Sequence, residues 1–111
     1  INMKQTKEIR YYTGLNGKSP FRDWLENLKD NTIRARVERR IERMAFGNYG
    51  DYKTVGNGIF ESRLMFGAGY RIYWIVQDDD LIILLCGGDK STQNHDIKLA
   101  KEFLKQLSKS L

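Results

Sequence analysis

Four side chains in the second half of the chain have the types and spacing needed to bind a phosphate. Arg63 and Arg71 lie in or beside apolar runs. Tyr73 follows Arg71 by two residues, and Lys90 comes just after the glycine pair of LLCGGDKS. Arginine offers a planar fork of donors, lysine a point charge, and tyrosine a proton or a stacking surface. Brought together, these side chains would form a cationic concavity suited to a phosphodiester.

Three predicted strands, 59–66, 70–77 and 81–86, must position these residues, and the connections between them have hairpin lengths. If Phe66 pairs with Tyr70, the alternation gives one apolar face and one polar face. The apolar face, packed on helices, comprises Phe60, Leu64, Ile72 and Val76. The polar face, predicted to be uncovered, comprises Glu61, Arg63, Met65, Arg71, Tyr73 and Ile75. The cations are therefore expected on the exposed side of the sheet.

The same spacing also fits a structural interpretation without a ligand. In that interpretation Arg63 pairs with Glu61 or Glu8, and Arg71 only keeps an exposed sheet face in contact with water. Residue spacing alone does not decide between the phosphate-binding interpretation and the structural one.

A possible proton carrier lies after GGDKSTQN, where His95 begins the last helix close to Lys90. A histidine there can transfer protons near neutral pH, although a surface histidine without a role is the alternative. Gly87 and Gly88 let the chain turn sharply out of a strand. Without GxxxxGK[ST] they are only a weak signal of a phosphate-binding nest.

No metal or other cofactor is predicted. Asp78, Asp79 and Asp80 fall in a short hairpin, where carboxylates point apart into water. One cysteine, Cys86, and one histidine exclude a disulfide, a cysteine-ligated zinc and a histidine-rich site. Cys86 lies in the most apolar strand and is expected to behave as a small hydrophobic residue.

Five arginines lie between positions 34 and 43, in RARVERRIER. A helix that binds nucleic acid is one interpretation of this segment. The interspersed Glu38 and Glu42, together with an apolar stripe, favour the solvated face of an amphipathic helix.

The composition indicates one small domain over residues 1–111, with 41% hydrophobic and 30% charged residues. The formal net charge of +5 favours a nucleic acid, an anionic surface or an acidic protein as partner. No apolar run approaches the ~20 residues of a membrane span, and no signal peptide is recognisable, so a cytoplasmic location is predicted. Met3 is interpreted as the natural start, with Ile1 and Asn2 as a vector remnant.

The remaining pattern predicts an α+β fold. EIRYYT (8–13) reads as a strand, and GNYGDYKTVGNG as a surface loop. SPFRDWLENLKD and TIRARVERRIERMAF read as helices, capped by Ser19 and by Asp30 or Asn31, with Gly47 ending the second. A last helix begins at about Asn94, and LIILLC is expected to be covered on both faces.

Three segments follow one another in an order typical of a known family: GNYGDYKTVGNGIFESRL, GAGYRIYW and LLCGGDKSTQNHDIKLA. With SPFRDWLENL, they resemble the addiction-module killer proteins of the RelE/ParE toxin superfamily, most closely the HigB-like, phage-related branch. The resemblance implies a β-α-α-β-β-β-α fold with a small antiparallel sheet packed on helices. It also implies a type II toxin, partnered by a cognate antitoxin.

RelE-like and HigB-like members cut mRNA in the ribosomal A site without a metal, so mRNA and the ribosome are implied partners. Arg71 matches the arginine of the family's GYR element, which contacts the scissile phosphate. Arg63 and Lys90 are expected to stabilise charge developing on that phosphate, and Lys53 to bind flanking RNA backbone.

His95 or Tyr73 is expected to transfer the proton. The tyrosine that RelE-like nucleases carry near the C-terminus has no counterpart in the segment from His95 to Ile97. ParE-like members of the same fold poison gyrase instead, and a basic RNA-binding domain without activity is a third possibility.

Overall fold

Five strands and three α-helices follow one another along residues 6–109, the part of the chain that this computed structural model describes. The elements are β1 (Glu8–Tyr11), α1 (Pro20–Glu26), α2 (Asn31–Ala45), β2 (Asp51–Gly56), β3 (Ile59–Leu64), β4 (Tyr70–Gln77), β5 (Leu81–Gly88), a 3-10 turn (Lys90–Thr92) and α3 (Gln93–Lys109). The α+β class is as predicted. The interpretation of Ile1 and Asn2 as a vector remnant lies outside the described residues.

The five strands form one mixed sheet in the order β1-β5-β4-β3-β2. Four of them pair antiparallel, but β1 runs parallel to β5, with Glu8 opposite Leu81. The expectation of an antiparallel sheet is therefore wrong at one edge, where β1 and β5 run parallel. Parallel neighbours need a long crossover, and α1, α2 and three strands supply it here.

The first two helices begin where their capping residues predict, although α1 ends at Glu26, earlier than the predicted helix SPFRDWLENLKD. Ser19 is the N-cap of α1, with Pro20 at its first position. Asp30 caps α2 by accepting a 2.8 Å hydrogen bond from the amide of Thr32. Gly47, with a φ of 85°, follows the C-cap of α2 in the left-handed conformation that glycine favours.

Helices cover both faces of the sheet, so the molecule has a core on each side. Helices α1 and α2 pack on the first face, in a core of Phe21, Leu25, Val37, Ile41, Met44, Leu64, Ile72, Trp74, Ile82 and Leu84. Helix α3 packs on the second, in a core of Tyr12, Ile59, Tyr73, Ile75, Ile83, Leu85, Cys86 and Ala100. β5 is central to both, which confirms that its two faces are covered.

The prediction that the polar face of the sheet is uncovered is wrong. Glu61 and Tyr73 have no exposed surface, and Arg71 is only 8% exposed. The apolar stripe of α3 has to be buried somewhere, and α1 and α2 already occupy the other face.

The residue alternation that placed these side chains on a common face is nevertheless correct. The expected pairing of Phe66 with Tyr70 is replaced by Leu64 opposite Tyr70, and Glu61 lies opposite Tyr73. This difference of two residues lengthens the turn, which takes up Met65, and leaves the predicted side chains of β3 and β4 on their predicted faces, because strand side chains repeat with a period of two.

The segment expected to be a surface loop instead contributes a fifth strand. β2 is an exposed edge strand, paired antiparallel with β3 so that Lys53 lies opposite Glu61. Asn57 and Gly58, both with positive φ, make the tight turn between the two strands. The flanking glycines concealed this strand in the sequence.

Gly87 and Gly88 are required by close packing of side chains. A Cβ on Gly87 would lie 2.3 Å from the Trp24 ring, and one on Gly88 would lie 1.8 Å from Oδ2 of Asp96. The pair therefore allows α1 and α3 to approach β5 closely from its two sides.

We expect Gly88→Ala to lower the free energy of unfolding by about 1–3 kcal/mol, because the new methyl group displaces the buried carboxylate of Asp96. Urea denaturation measures the change. Gly14→Ala is the control: its Cβ would meet the movable side chain of Asn16 at 3.1 Å. An equal loss in both variants would contradict the close packing of Gly88.

Among the helices of residues 6–109, none has both the length and the apolar character needed to cross a lipid bilayer.

Candidate functional site

The carboxylate of Glu61, buried between the sheet and α3, is the centre of a polar cluster. Its Oε2 accepts hydrogen bonds of 2.9 Å from the hydroxyl of Tyr73 and 3.0 Å from Nε2 of Gln93. Tyr73 comes from the neighbouring strand and Gln93 from the first residue of α3. A single carboxylate therefore ties β3, β4 and α3 together.

Three cations from three strands surround the same carboxylate. Nε of Arg63 donates to Oε1 of Glu61 at 3.3 Å, and Nζ of Lys53 lies 4.0 Å from that atom. Nε of Arg71 lies 3.8 Å from Oε2. This group of Glu61, Lys53, Arg63, Arg71, Tyr73 and Gln93 is termed the Glu61 cluster below. The structural alternative in which Arg63 pairs with Glu61 is confirmed.

The surroundings of Glu61 favour its ionised form. Burial alone raises the pKa of a carboxyl group. Hydrogen bonds from Gln93, Tyr73 and Arg63, together with the charge of Lys53, outweigh burial and lower the pKa of Glu61 below its usual 4.5. Because Glu61 stays negative, the three cations and one carboxylate leave the cluster with a formal charge of +2.

The cations differ in their access to solvent. The side chain of Lys53 is 51% exposed and that of Arg63 is 38% exposed, whereas that of Arg71 is 10% exposed. The side chains of Lys53 and Arg63 therefore expose positive charge to solvent, and Glu61 contacts both of them from the buried side. Arg71 lies in the interior, which corrects the expectation that it stands on an open face.

Arg71 and Lys90 meet at the turn between β3 and β4. Nη1 of Arg71 donates to the carbonyl oxygen of Gly69 at 2.8 Å, and the amide of Lys90 donates to Ala68 at 3.2 Å. A Cβ on Gly69 would lie 3.3 Å from the Cβ of Lys90 and 3.5 Å from Nη1 of Arg71. The exposed Lys90 thus adjoins the inner end of the Glu61 cluster.

Tyr73 is fully buried, and its hydroxyl is committed to Glu61. Burial, then the hydrogen bond to Glu61 and its charge, raise the pKa of Tyr73 well above 10.0. The phenol keeps its proton and has no surface open to a ligand. Its position gives it a structural part in orienting Glu61.

His95 lies apart from this group. It is exposed on the first turn of α3, and within residues 6–109 no hydrogen bond or ion pair joins it to the Glu61 cluster. Its neighbour Asp96 faces inward, where burial raises the pKa of the Asp96 carboxyl despite a 2.6 Å hydrogen bond from Thr92.

The GGDKSTQ motif mainly forms the capped turn from which helix α3 begins. Asp89 caps the 3-10 turn by accepting from the amide of Ser91 at 2.8 Å, and Gln93 reaches Glu61. Sequence reasoning missed Gln93 and the central position of Glu61. The signal for Glu61 was its place on one strand face with Arg63, Arg71 and Tyr73.

Cys86 is buried against α3, where its Sγ donates to the carbonyl oxygen of Asp96 at 3.6 Å. Burial, with a smaller contribution from the charge of Asp96, raises the pKa of its thiol from 9.0 to about 12. The expectation that it behaves as a small hydrophobic residue agrees with this environment.

We expect iodoacetamide to alkylate Cys86 at least ~10³-fold more slowly in the folded protein than in urea, since the thiolate is the nucleophile. Mass spectrometry of timed samples measures the rate. Rapid stoichiometric labelling of the folded protein would show that the thiol is accessible and ionised.

Within residues 6–109, no three or more His, Cys, Asp or Glu side chains are grouped so that they could hold a metal ion. The chemistry that the Glu61 cluster itself offers is that of cations: binding an anion and stabilising negative charge.

Two comparisons bear on this arrangement. The sequence profile of the family described as phage derived protein Gp49-like (DUF891) matches residues 23–105, which include every member of the Glu61 cluster. A protein of Haemophilus influenzae (strain Rd), described as uncharacterized, is 52% identical over 87 residues, covering 78% of this chain and 88% of that relative.

Proposed function

The chain belongs to the family of phage-derived Gp49-like proteins, a toxin-like family, and from this premise we propose that it is the toxin of a type II toxin–antitoxin pair. We propose further that it acts as an endonuclease on mRNA bound to the ribosome. The resemblance to HigB-like members of the RelE/ParE superfamily supports this second step. The observation that carries it is the pair of outward-facing cations held over a buried carboxylate.

Cleavage of RNA through its 2′-hydroxyl needs a proton acceptor, a cation for charge developing on the phosphate, and a proton donor for the leaving 5′-oxygen. Arg63, partly exposed and fixed by Glu61, is suited to the charge on the phosphate. Lys53, which shares the Glu61 carboxylate with Arg63, and Lys90, which adjoins Arg71 at the Gly69 turn, would bind adjoining phosphates. His95, exposed on the first turn of α3, is the residue proposed to transfer the proton.

The burial of Arg71 and Tyr73 changes the roles proposed for them. Arg71 would act through Glu61 and the Gly69 turn, and Tyr73 through its hydrogen bond to Glu61. Both would then be positioning residues that keep Arg63 and Lys53 in place. No metal or other cofactor enters this proposal.

An antitoxin would have to neutralise such a protein. The net charge of +5 favours an acidic or amphipathic segment as the part of the antitoxin that docks.

The test is to induce the gene in bacteria with and without its neighbouring gene and to map transcript ends. We expect arrested growth and new mRNA ends when it is expressed alone, and neither with the antitoxin. Purified protein added to translating ribosomes should produce the same ends. Intact mRNA at concentrations that saturate ribosome binding would contradict nuclease activity.

One observation favours a second function, poisoning of gyrase by binding alone. Glu61 engages both Arg63 and Arg71, which reduces the positive charge free to act on a phosphate. A ParE-like toxin needs no such chemistry. Inhibition of gyrase supercoiling without new mRNA ends would select this function, and overexpression without any effect on growth would select an inactive RNA-binding domain.

A further inference from the structure

A groove between α2 and the end of β3 is lined mainly by arginines. Arg36, Arg39, Arg40 and Arg43 from α2 face Arg63 from β3, with Asp51 at the start of β2. This arginine groove encloses about 250 Å³. The sequence favoured a solvated helix face here. In the fold, four of the α2 arginines lie across a concave surface from Arg63 of β3.

The positive charge of the arginine groove is largely uncompensated. Five arginines and one aspartate line the groove, and Glu61 pairs with one of these arginines, Arg63, so the formal charge is +3. Within residues 6–109, none of the four α2 arginines has a carboxylate within 4.0 Å, although Glu38 and Glu42 lie on the same helix. Several cations held close together without counter-charges favour an anionic ligand.

Two of the arginines are held in place before any ligand binds. The guanidinium carbon of Arg36 lies 3.8 Å from the centre of the Phe66 ring. The guanidinium of Arg40 lies against Gly50, where a Cβ would come within 1.1 Å of Nη1. Such preorganisation reduces the entropy lost on binding.

We propose that the arginine groove binds the backbone phosphates of a single RNA strand. Guanidinium groups on both walls suit phosphate oxygens, which they bind through two parallel hydrogen bonds. From Arg36 to Arg43 the helix rises ~10 Å, at about 1.5 Å per residue. A groove of that length can contact more than one phosphate of the same strand.

The lining of the groove favours an RNA backbone over an acidic protein segment. Apart from Asp51, the polar side chains that line it within the described residues are arginines. An acidic peptide strand would also present amide groups that need donors and acceptors of both kinds.

Arg63 connects the arginine groove to the Glu61 cluster, because its side chain lines the first and donates to the carboxylate of the second. The inference rests on the proposed function in its choice of RNA. It adds a binding path along α2 that leads a strand toward Arg63, the residue proposed to act on the reacting phosphate.

The test compares two charge-matched double variants of the full chain. Arg39→Gln with Arg43→Gln changes the groove, while Arg10→Gln with Arg22→Gln removes two charges elsewhere. The probe is a fluorescent single-stranded RNA with 2′-O-methyl groups, which removes the nucleophile so that binding is measured without cleavage. Thermal unfolding of all variants checks that they are folded.

We expect the groove variant to bind this RNA about tenfold or more weakly, since each charge-assisted hydrogen bond contributes substantially. The slope of log K against log salt should fall by about 1.4, or ~0.7 for each lost phosphate contact. The matched control should keep nearly the wild-type affinity and slope. Arg39→Lys with Arg43→Lys should recover the slope but only part of the affinity.

Equal losses in the groove variant and its control would overturn the inference, because they would reflect net charge alone. Unchanged RNA binding combined with lost binding of polyglutamate would overturn it in favour of an acidic protein partner. Failure of the proposed function is seen separately, in growth and transcript ends, and leaves this binding measurement intact.

Discussion

Replacing Glu61 with alanine is expected to lower the free energy of unfolding by about 3–5 kcal/mol, the range for removing one partner from a buried ion pair. The variant leaves Arg71 in the interior without its carboxylate and leaves Tyr73 and Gln93 without their acceptor. The attachment of the first turn of α3 to the sheet is lost with them. Urea denaturation followed by circular dichroism measures the change.

The control is Glu8→Ala. Glu8 also pairs with an arginine, Arg10, at 3.1 Å, but both side chains are about 60% exposed. Exposed pairs contribute little to stability, so this variant should unfold almost as the wild type does. Similar losses in the two variants would show that Glu61 does not have the central structural role assigned to it.

Glu61 is also expected to contribute to the loss of folding stability at low pH. Its pKa is lowered on folding, so its stabilising contribution is present above the ordinary pKa of 4.5 and is lost as pH falls through the folded-state value. The pKa of Asp96 is raised in the folded state, so the contribution of Asp96 to stability grows as pH falls. We expect the stability difference between wild type and Glu61→Gln to shrink as pH falls below about 4.5. A constant difference would contradict the lowered pKa.

Replacing Arg63 with alanine is expected to reduce mRNA cleavage roughly 10²-fold or more, the effect typical of removing one group that stabilises charge in the transition state. Arg63 is the partly exposed arginine that both the Glu61 cluster and the arginine groove share. Cleavage rates in a translation system, at saturating protein, separate this effect from weaker binding.

Arg10→Ala serves as the matched control, since it removes one arginine from an exposed strand on the opposite edge of the sheet. It should cleave at nearly the wild-type rate. The Arg63→Ala protein must also be shown to be folded at the assay temperature, because it loses a hydrogen bond to Glu61. Cleavage at the wild-type rate by folded Arg63→Ala would remove Arg63 from the reaction.

Local features of this fold could be predicted from local sequence. The caps at Ser19 and Asp30, the end of α2 at Gly47 and the alternation along β3 and β4 depend on residues close together in the chain. Backbone geometry and side-chain period determine them with little help from tertiary contacts.

The errors concerned contacts between distant segments. The sequence does not state which sheet face α3 covers, and that choice buries Arg71 and Tyr73. The same limitation applies to the site. The four cations and Tyr73 were identified by type, but the carboxylate that organises most of them and the glutamine that completes the cluster come together only in the folded chain.

The parallel pairing of β1 with β5 has a consequence for biosynthesis. Within residues 6–109, β1 has no neighbouring strand except β5, and Glu8 lies opposite Leu81, which follows it by 73 positions. β1 therefore leaves the ribosome long before Leu81 has been synthesised, and it finds its neighbour only after β5 has followed. Contacts so distant in sequence slow folding, so this parallel pairing is expected to form late.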